Sequence, residues 1–183
     1  MENKILIIDI ETTGFLSDNG KIVEVGIVEL DIVTGEKKIL FDSICHERPI
    51  TLEHVENSWI VKNSDLTVEQ IRQSKQLKDL IPEIQSIINK YTLGATAFNN
   101  VFDFGFLENR GVTFHKKLEC PMKLSTNILK IQSPRGFKWP NVNEAYKFFY
   151  PDVVYDEKHR GADDAFHEAD IVFSLIKLNI FEI

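Results

Sequence analysis

The chain has 183 residues, 43% of them hydrophobic, and a formal net charge of −7, which suits one domain, residues 1–183, with a sizeable core. Cys45 and Cys120 are too few for a disulfide framework and lie in no CxxC or Cys/His spacing that would hold zinc. No run approaches the roughly 18 uncharged apolar residues of a membrane span. The first apolar run is interrupted by acids and lacks a basic leader, so a soluble protein of a reducing compartment, the cytoplasm, is expected.

Lys4-Ile5-Leu6-Ile7-Ile8-Asp9 reads as a central strand covered on both faces. Asp9 and Glu11 close it, in the stretch Asp9-Ile10-Glu11-Thr12-Thr13-Gly14. Side chains two apart in a strand share a face, roughly 7 Å from one another. Two such anions in partly dry surroundings stay ionised when a cation sits between them, and a hard divalent metal fits that place. The plainer alternative is that these acids begin a solvated loop.

A second strand is expected near Ile22–Leu30 and a third near Lys37–Ile44, paired antiparallel across a turn at Thr34-Gly35. From Ile50 to Asn89 the pattern turns helical. Leu77, Leu80, Ile81, Ile84, Ile87 and Ile88 form its amphipathic stripe. Thr92–Phe98 reads as another strand. Asn99 is expected to cap a short helix through about Arg110, stopped by Gly111. Further helices are expected near Met122–Ile131, after Pro140, and over Gly161–Leu178. Strands first, then helices alternating with strands, describe a mixed α/β layer fold.

Asp103 lies among Phe102, Phe104, Phe106 and Leu107, where an unpaired carboxylate is costly. It also falls in the first turn of its helix, where the dipole alone favours an acid. In the last helix, Ala162, Ala165, Phe166, Ala169, Val172, Phe173 and Ile176 form the expected core face. Asp163, His167 and Asp170 take the opposite polar side. Asp164 heads a half-buried flank with Ile171 and Leu175; Glu168 shares that flank and competes with it as the inward acid. His159, just before this helix, can hang over whatever Asp164 binds.

Charge is uneven along the chain. Residues 115–160 hold nine Lys and Arg against five Asp and Glu, a net of +4 in an acidic protein. That asymmetry suits a face that meets phosphates, although a randomly solvated surface also accounts for it.

Taken together, DIETTG at Asp9, NNVFDFGF around Asp103 and HRGADDA from His159 resemble the DnaQ-like DEDDh family of 3′–5′ exonucleases. The likeness runs through nearly the whole chain. It departs at Phe98 (often His), Gly161 (usually Ala) and Cys120-Pro121-Met122. It implies a ribonuclease-H-like fold: a five-stranded mixed sheet, order 3-2-1-4-5, with helices on both faces. By position, Asp9, Glu11, Asp103 and Asp164 would be metal ligands, with Asp9 bridging two Mg²⁺ or Mn²⁺ ions. His159, the histidine of the subgroup, would be the general base, worth roughly 10²–10⁴-fold in rate. Glu11 is also expected in the catalytic set. Thr12, Thr13, Gly14, Phe15, Asn99 and Phe102 would contact the terminal nucleotide.

The implied partner is the 3′ end of single-stranded nucleic acid, with DNA weakly favoured over RNA and nucleoside 5′-monophosphates released. With no long tail beyond Ile183 to recruit a polymerase, a free-standing enzyme is expected ahead of a proofreading subunit. Homodimerisation stays open. A catalytically silent nucleic-acid-binding module is disfavoured by the intact set of five positions. A small-nucleotide phosphatase is disfavoured by the lack of any phosphate-cradling glycine motif.

Overall fold

The computed structural model describes residues 2–183. Three long strands dominate it: β1 (Lys4–Thr12), β2 (Ile22–Asp31) and β3 (Lys37–His46), each antiparallel to the next. Two short strands, β4 (Lys75–Gln76) and β5 (Ala95–Thr96), run parallel to β3 and β1 and complete a mixed sheet ordered β4-β3-β2-β1-β5. The expected 3-2-1-4 run is therefore present, with β5 as its fourth member. Beyond β5 the next segment joins only by a bridge at Lys117, where Ala95 N donates to Lys116 O and Leu118 N to Ala95 O. The fifth strand, β4, sits instead on the far edge, beside β3.

The helical stretch expected over Ile50–Asn89 is four helices: α1 (Leu52–Glu56), α2 (Trp59–Asn63), α3 (Val68–Gln73) and α4 (Leu77–Lys90). Thr51 and Thr67 accept N-cap hydrogen bonds and start new helices inside that stretch. Val55, Ile60, Leu66 and Ile71 from this excursion form a small cluster with Val23. On α4, Leu77, Leu80, Ile84 and Ile88 are buried, and Ile81 and Ile87 are half-buried.

The sheet carries helices on both faces, and β1 alternates between them. Leu6, Ile8 and Ile10 pack with α4 and with α5 (Asn100–Asn109). Ile5 and Ile7 pack with α6 (Pro121–Leu129), α7 (Val142–Phe149) and α8 (Gly161–Lys177). A period of two then puts Asp9 and Glu11 on the α8 face. A hairpin that the sequence did not announce, β6 (Gln132–Ser133) and β7 (Gly136–Phe137), follows α6 and turns at Pro134-Arg135, with Gly136 just after the turn at φ +109°.

Two local expectations need correction. Asn99 stands at the N-cap of α5, but its side chain makes no capping bond. Its carbonyl, not its amide group, accepts from Phe102 N at 2.8 Å. In α8 the buried arc is turned from the expected alanine–phenylalanine face. Asp164, Glu168, Ile171 and Leu175 are fully buried with Ala165, Ala169 and Val172, while Phe166, Phe173 and Ile176 are half-buried. The cause is the close approach of α8 to β2. A Cβ on Gly26 would lie 2.1 Å from the carbonyl carbon of Gly161, so only glycine lets the helix start there. Phe166 is left beneath the Lys37 ammonium, 3.9 Å from its ring centre.

Candidate active site

Acids from three distant segments meet at the end of β1. Asp103, in the first turn of α5 and 4% exposed, accepts from the amide of Ile10, between Asp9 and Glu11, at 3.3 Å. Asp164, in the first turn of α8, is also buried. Its Oδ1 accepts from the Tyr155 hydroxyl at 2.9 Å and its Oδ2 from Arg160 N at 2.8 Å. Ligand atoms of Glu11, His159 and Asp164 all lie within 4.8 Å of one another. Glu11, His159 and Asp164 thus share one ligand-distance cluster, and Asp103 is held against the backbone between Asp9 and Glu11 on the same strand end.

Glu168 joins them. It is one turn beyond Asp164 on α8, is 2% exposed, and accepts from Phe98 N at 3.3 Å. Asp164 and Glu168 are therefore both inward, and the competition between them has no loser. Burial, then the charges of Glu168, Glu11, Asp103 and Asp164, push Asp9 well above the usual aspartate range. Burial, then Asp164 and Glu24, do the same to Glu11. Burial lifts Asp103 to about 7, against the hydrogen bond from Ile10. Asp164 and Glu168 are raised too, burial again coming first. No Lys or Arg forms an ion pair with any of these five acids among the described residues.

Crowded carboxylates with no basic partner fit a divalent metal cation. The side chains of Asp9 and Glu11 accept no hydrogen bond among the described residues, which leaves their oxygens available.

His159 is held in an unusual way. Its backbone is left-handed, φ +56°, a conformation uncommon outside glycine that recurs at functional sites. The Trp59 ring meets its imidazole edge-on at 4.6 Å, and Glu157 Oε1 is 3.9 Å from its Nδ1. The next residue anchors the loop. Arg160 Nε and Nη2 donate to the fully buried Glu24 of β2, and its Nη1 donates to Asp65. Glu24 Oε2 also accepts from Gly161 N at 3.3 Å, fixing the first turn of α8.

The expected nucleotide contacts divide into two groups. Thr12 Oγ1 donates to Gly14 O at 3.0 Å. Thr13 is buried, with its hydroxyl 2.7 Å from His54 Nε2 and accepting from Lys21 N at 2.9 Å. Its side chain ties β1 to α1. Gly14 has open space around it. Phe15 is 66% exposed and meets Phe102 edge-on at 6.3 Å, and both line a groove with the exposed Asn99.

Sequence reasoning missed Glu24, Arg160, Trp59, His54 and Tyr155. Glu24 carries a readable signal, a lone acid between Val23 and Val25 in an otherwise apolar strand. Trp59 and His54 carry none, because the excursion that brings them to the site has no long-range marker in the chain.

The exonuclease family model matches residues 6–172. The DNA polymerase III PolC-type of Clostridium perfringens (strain 13 / Type A) is 25% identical over 178 residues, or 97% of this chain. The chain spans only 12% of that relative's length. Among solved structures, the fold resembles the nuclease domain of 3′hExo, a DEDDh family member bound to rAMP. The TM-score is 0.69 and the identity 15%, over 99% of this chain and 96% of that one. It also resembles cell-death related nuclease 4, with a TM-score of 0.67 and 15% identity, over 96% of this chain and 64% of the other. With a family model matching residues 6–172, this chain belongs to the exonuclease family.

Proposed function

We propose that residues 1–183 act as one domain that removes nucleotides from the 3′ end of single-stranded nucleic acid, DNA weakly ahead of RNA, releasing nucleoside 5′-monophosphates. The observation carrying this reading is the convergence of Asp103 and Asp164 on the Asp9–Glu11 strand end, with His159 beside them. Asp9, Glu11, Asp103 and Asp164 would hold two Mg²⁺ or Mn²⁺ ions. Bound there, such ions supply an activated water and offset charge on the leaving 3′ oxygen. Nδ1 of His159 faces Glu157, which leaves Nε2 to accept the proton of the attacking water. Trp59 and the Arg160–Glu24 pair keep that imidazole in place. Phe15 and Phe102 offer apolar faces to a terminal base, a contact tolerant of base identity. Discrimination between DNA and RNA would turn on contacts to a 2′-hydroxyl.

The similarity to a polymerase over nearly the whole chain favours a proofreading role as the second reading, beside free-standing trimming. No helix is long and apolar enough to cross a membrane among the described residues. A 3′-labelled and a 5′-labelled oligonucleotide, each with Mg²⁺ and with chelator, test the reaction. Immediate loss of the 3′ label as mononucleotide and stepwise shortening of the 5′-labelled strand, both abolished by chelator, are expected. Binding without cleavage would leave a silent module, and phosphate release without shortening a phosphatase.

A further inference from the structure

Trp139 lies between β7 and α7, in a loop fixed on both sides. Lys138 N donates to Ile131 O at 3.0 Å, its ammonium pairs with Glu144 at 2.6 Å, and Pro140 is buried. Asn141 then starts α7 with a reciprocal cap to Glu144. Despite this anchoring the indole is 62% exposed and forms no aromatic pair with any described residue. An exposed, held tryptophan has no core role to explain it. It lines an apolar groove of about 510 Å³ together with Phe15, Phe102, Met122 and Lys123. The groove thus includes Phe15, Asn99 and Phe102, the residues expected to meet the terminal nucleotide.

The cation that lines it is Lys123. Lys123 is exposed and forms no ion pair among the described residues, and it belongs to the stretch that is net positive in an acidic chain. An aromatic face beside an unpaired ammonium group matches the chemistry of a single-stranded polynucleotide, with a base on the ring and a phosphate at Lys123. We propose that Trp139 is a specificity-determining residue that stacks on a base upstream of the terminal nucleotide, so that the enzyme favours long single strands over dinucleotides. This deepens, and rests on, the exonuclease reading.

The test compares a dinucleotide with a decanucleotide of thymidine, with Mg²⁺, for wild type, W139L and W139F. Stacking of this kind predicts that W139L raises the KM of the decanucleotide roughly 5- to 100-fold, with kcat within about twofold. The KM advantage of decanucleotide over dinucleotide should collapse, and W139F should restore most of it. Fluorescence anisotropy of a labelled decanucleotide, read with chelator, gives the same comparison without turnover. Equal chain-length dependence in wild type and W139L, or equal loss on both substrates, would overturn the proposal. Should the wild type release no mononucleotide, the exonuclease reading fails by itself. Anisotropy then still decides the stacking: weaker binding by W139L supports it and unchanged binding refutes it.

Discussion

Replacing Asp103 with Asn isolates the electrostatic load of the acid cluster. An ordinary aspartate releases its proton near 3.8, whereas burial holds that of Asp103 to about 7. The native state then binds the proton more tightly than the unfolded chain, so stability falls as pH rises from about 4 and levels off above about 7. That interval is worth at most about 4 kcal/mol. In Asp103→Asn the side-chain oxygen can still accept from Ile10, but the buried amide group lacks an acceptor, at about 1–3 kcal/mol. The net expectation at pH 8 without metal is a gain of about 1–3 kcal/mol, or roughly 2–12 °C in Tm for a domain of this size. At pH 5, where the wild-type carboxyl is protonated, the gain should vanish or reverse. Scanning calorimetry in chelator from pH 5 to pH 8 measures this. A difference between variant and wild type that does not grow with pH would refute the reasoning, because the carboxylate would then not be carrying uncompensated charge.

His159→Asn keeps a residue that tolerates the left-handed backbone while removing the imidazole. Turnover should fall by at least about 100-fold with near-normal Tm, and wild-type turnover would remove His159 from the mechanism. Gly26→Ala puts a methyl into the backbone of Gly161 and should cost at least about 1–3 kcal/mol, together with activity, as the first turn of α8 is displaced. Urea unfolding checks it, and unchanged stability would mean the helix does not rest on β2 there. Arg160→Met strands the buried Glu24 carboxylate and should cost about 3–5 kcal/mol by the same assay. A neutral result would show that water reaches Glu24.

Much of this site was legible in the chain because each acid sits in a locally improbable place. Asp9 and Glu11 interrupt an aliphatic strand, and Asp103 is ringed by phenylalanines. The order of the long strands followed from short links that permit only antiparallel neighbours. The rotation of α8 was not legible. Helical periodicity weighs side chains by hydrophobicity, and nothing local says that Gly26 and Gly161 would meet and press Asp164 and Glu168 onto the sheet. Trp59 and Trp139 were missed for a related reason: each is exposed, and only the tertiary fold shows what it faces. The hairpin at Gln132–Phe137 is too short to show alternation.

Manganese binding, followed by electron paramagnetic resonance or calorimetry, tests the central claim most directly. The account predicts two Mn²⁺ per chain at the strand end, with binding lost or greatly weakened in Asp9→Asn although that variant stays folded. No binding by the wild type, or equal binding by Asp9→Asn, would contradict it.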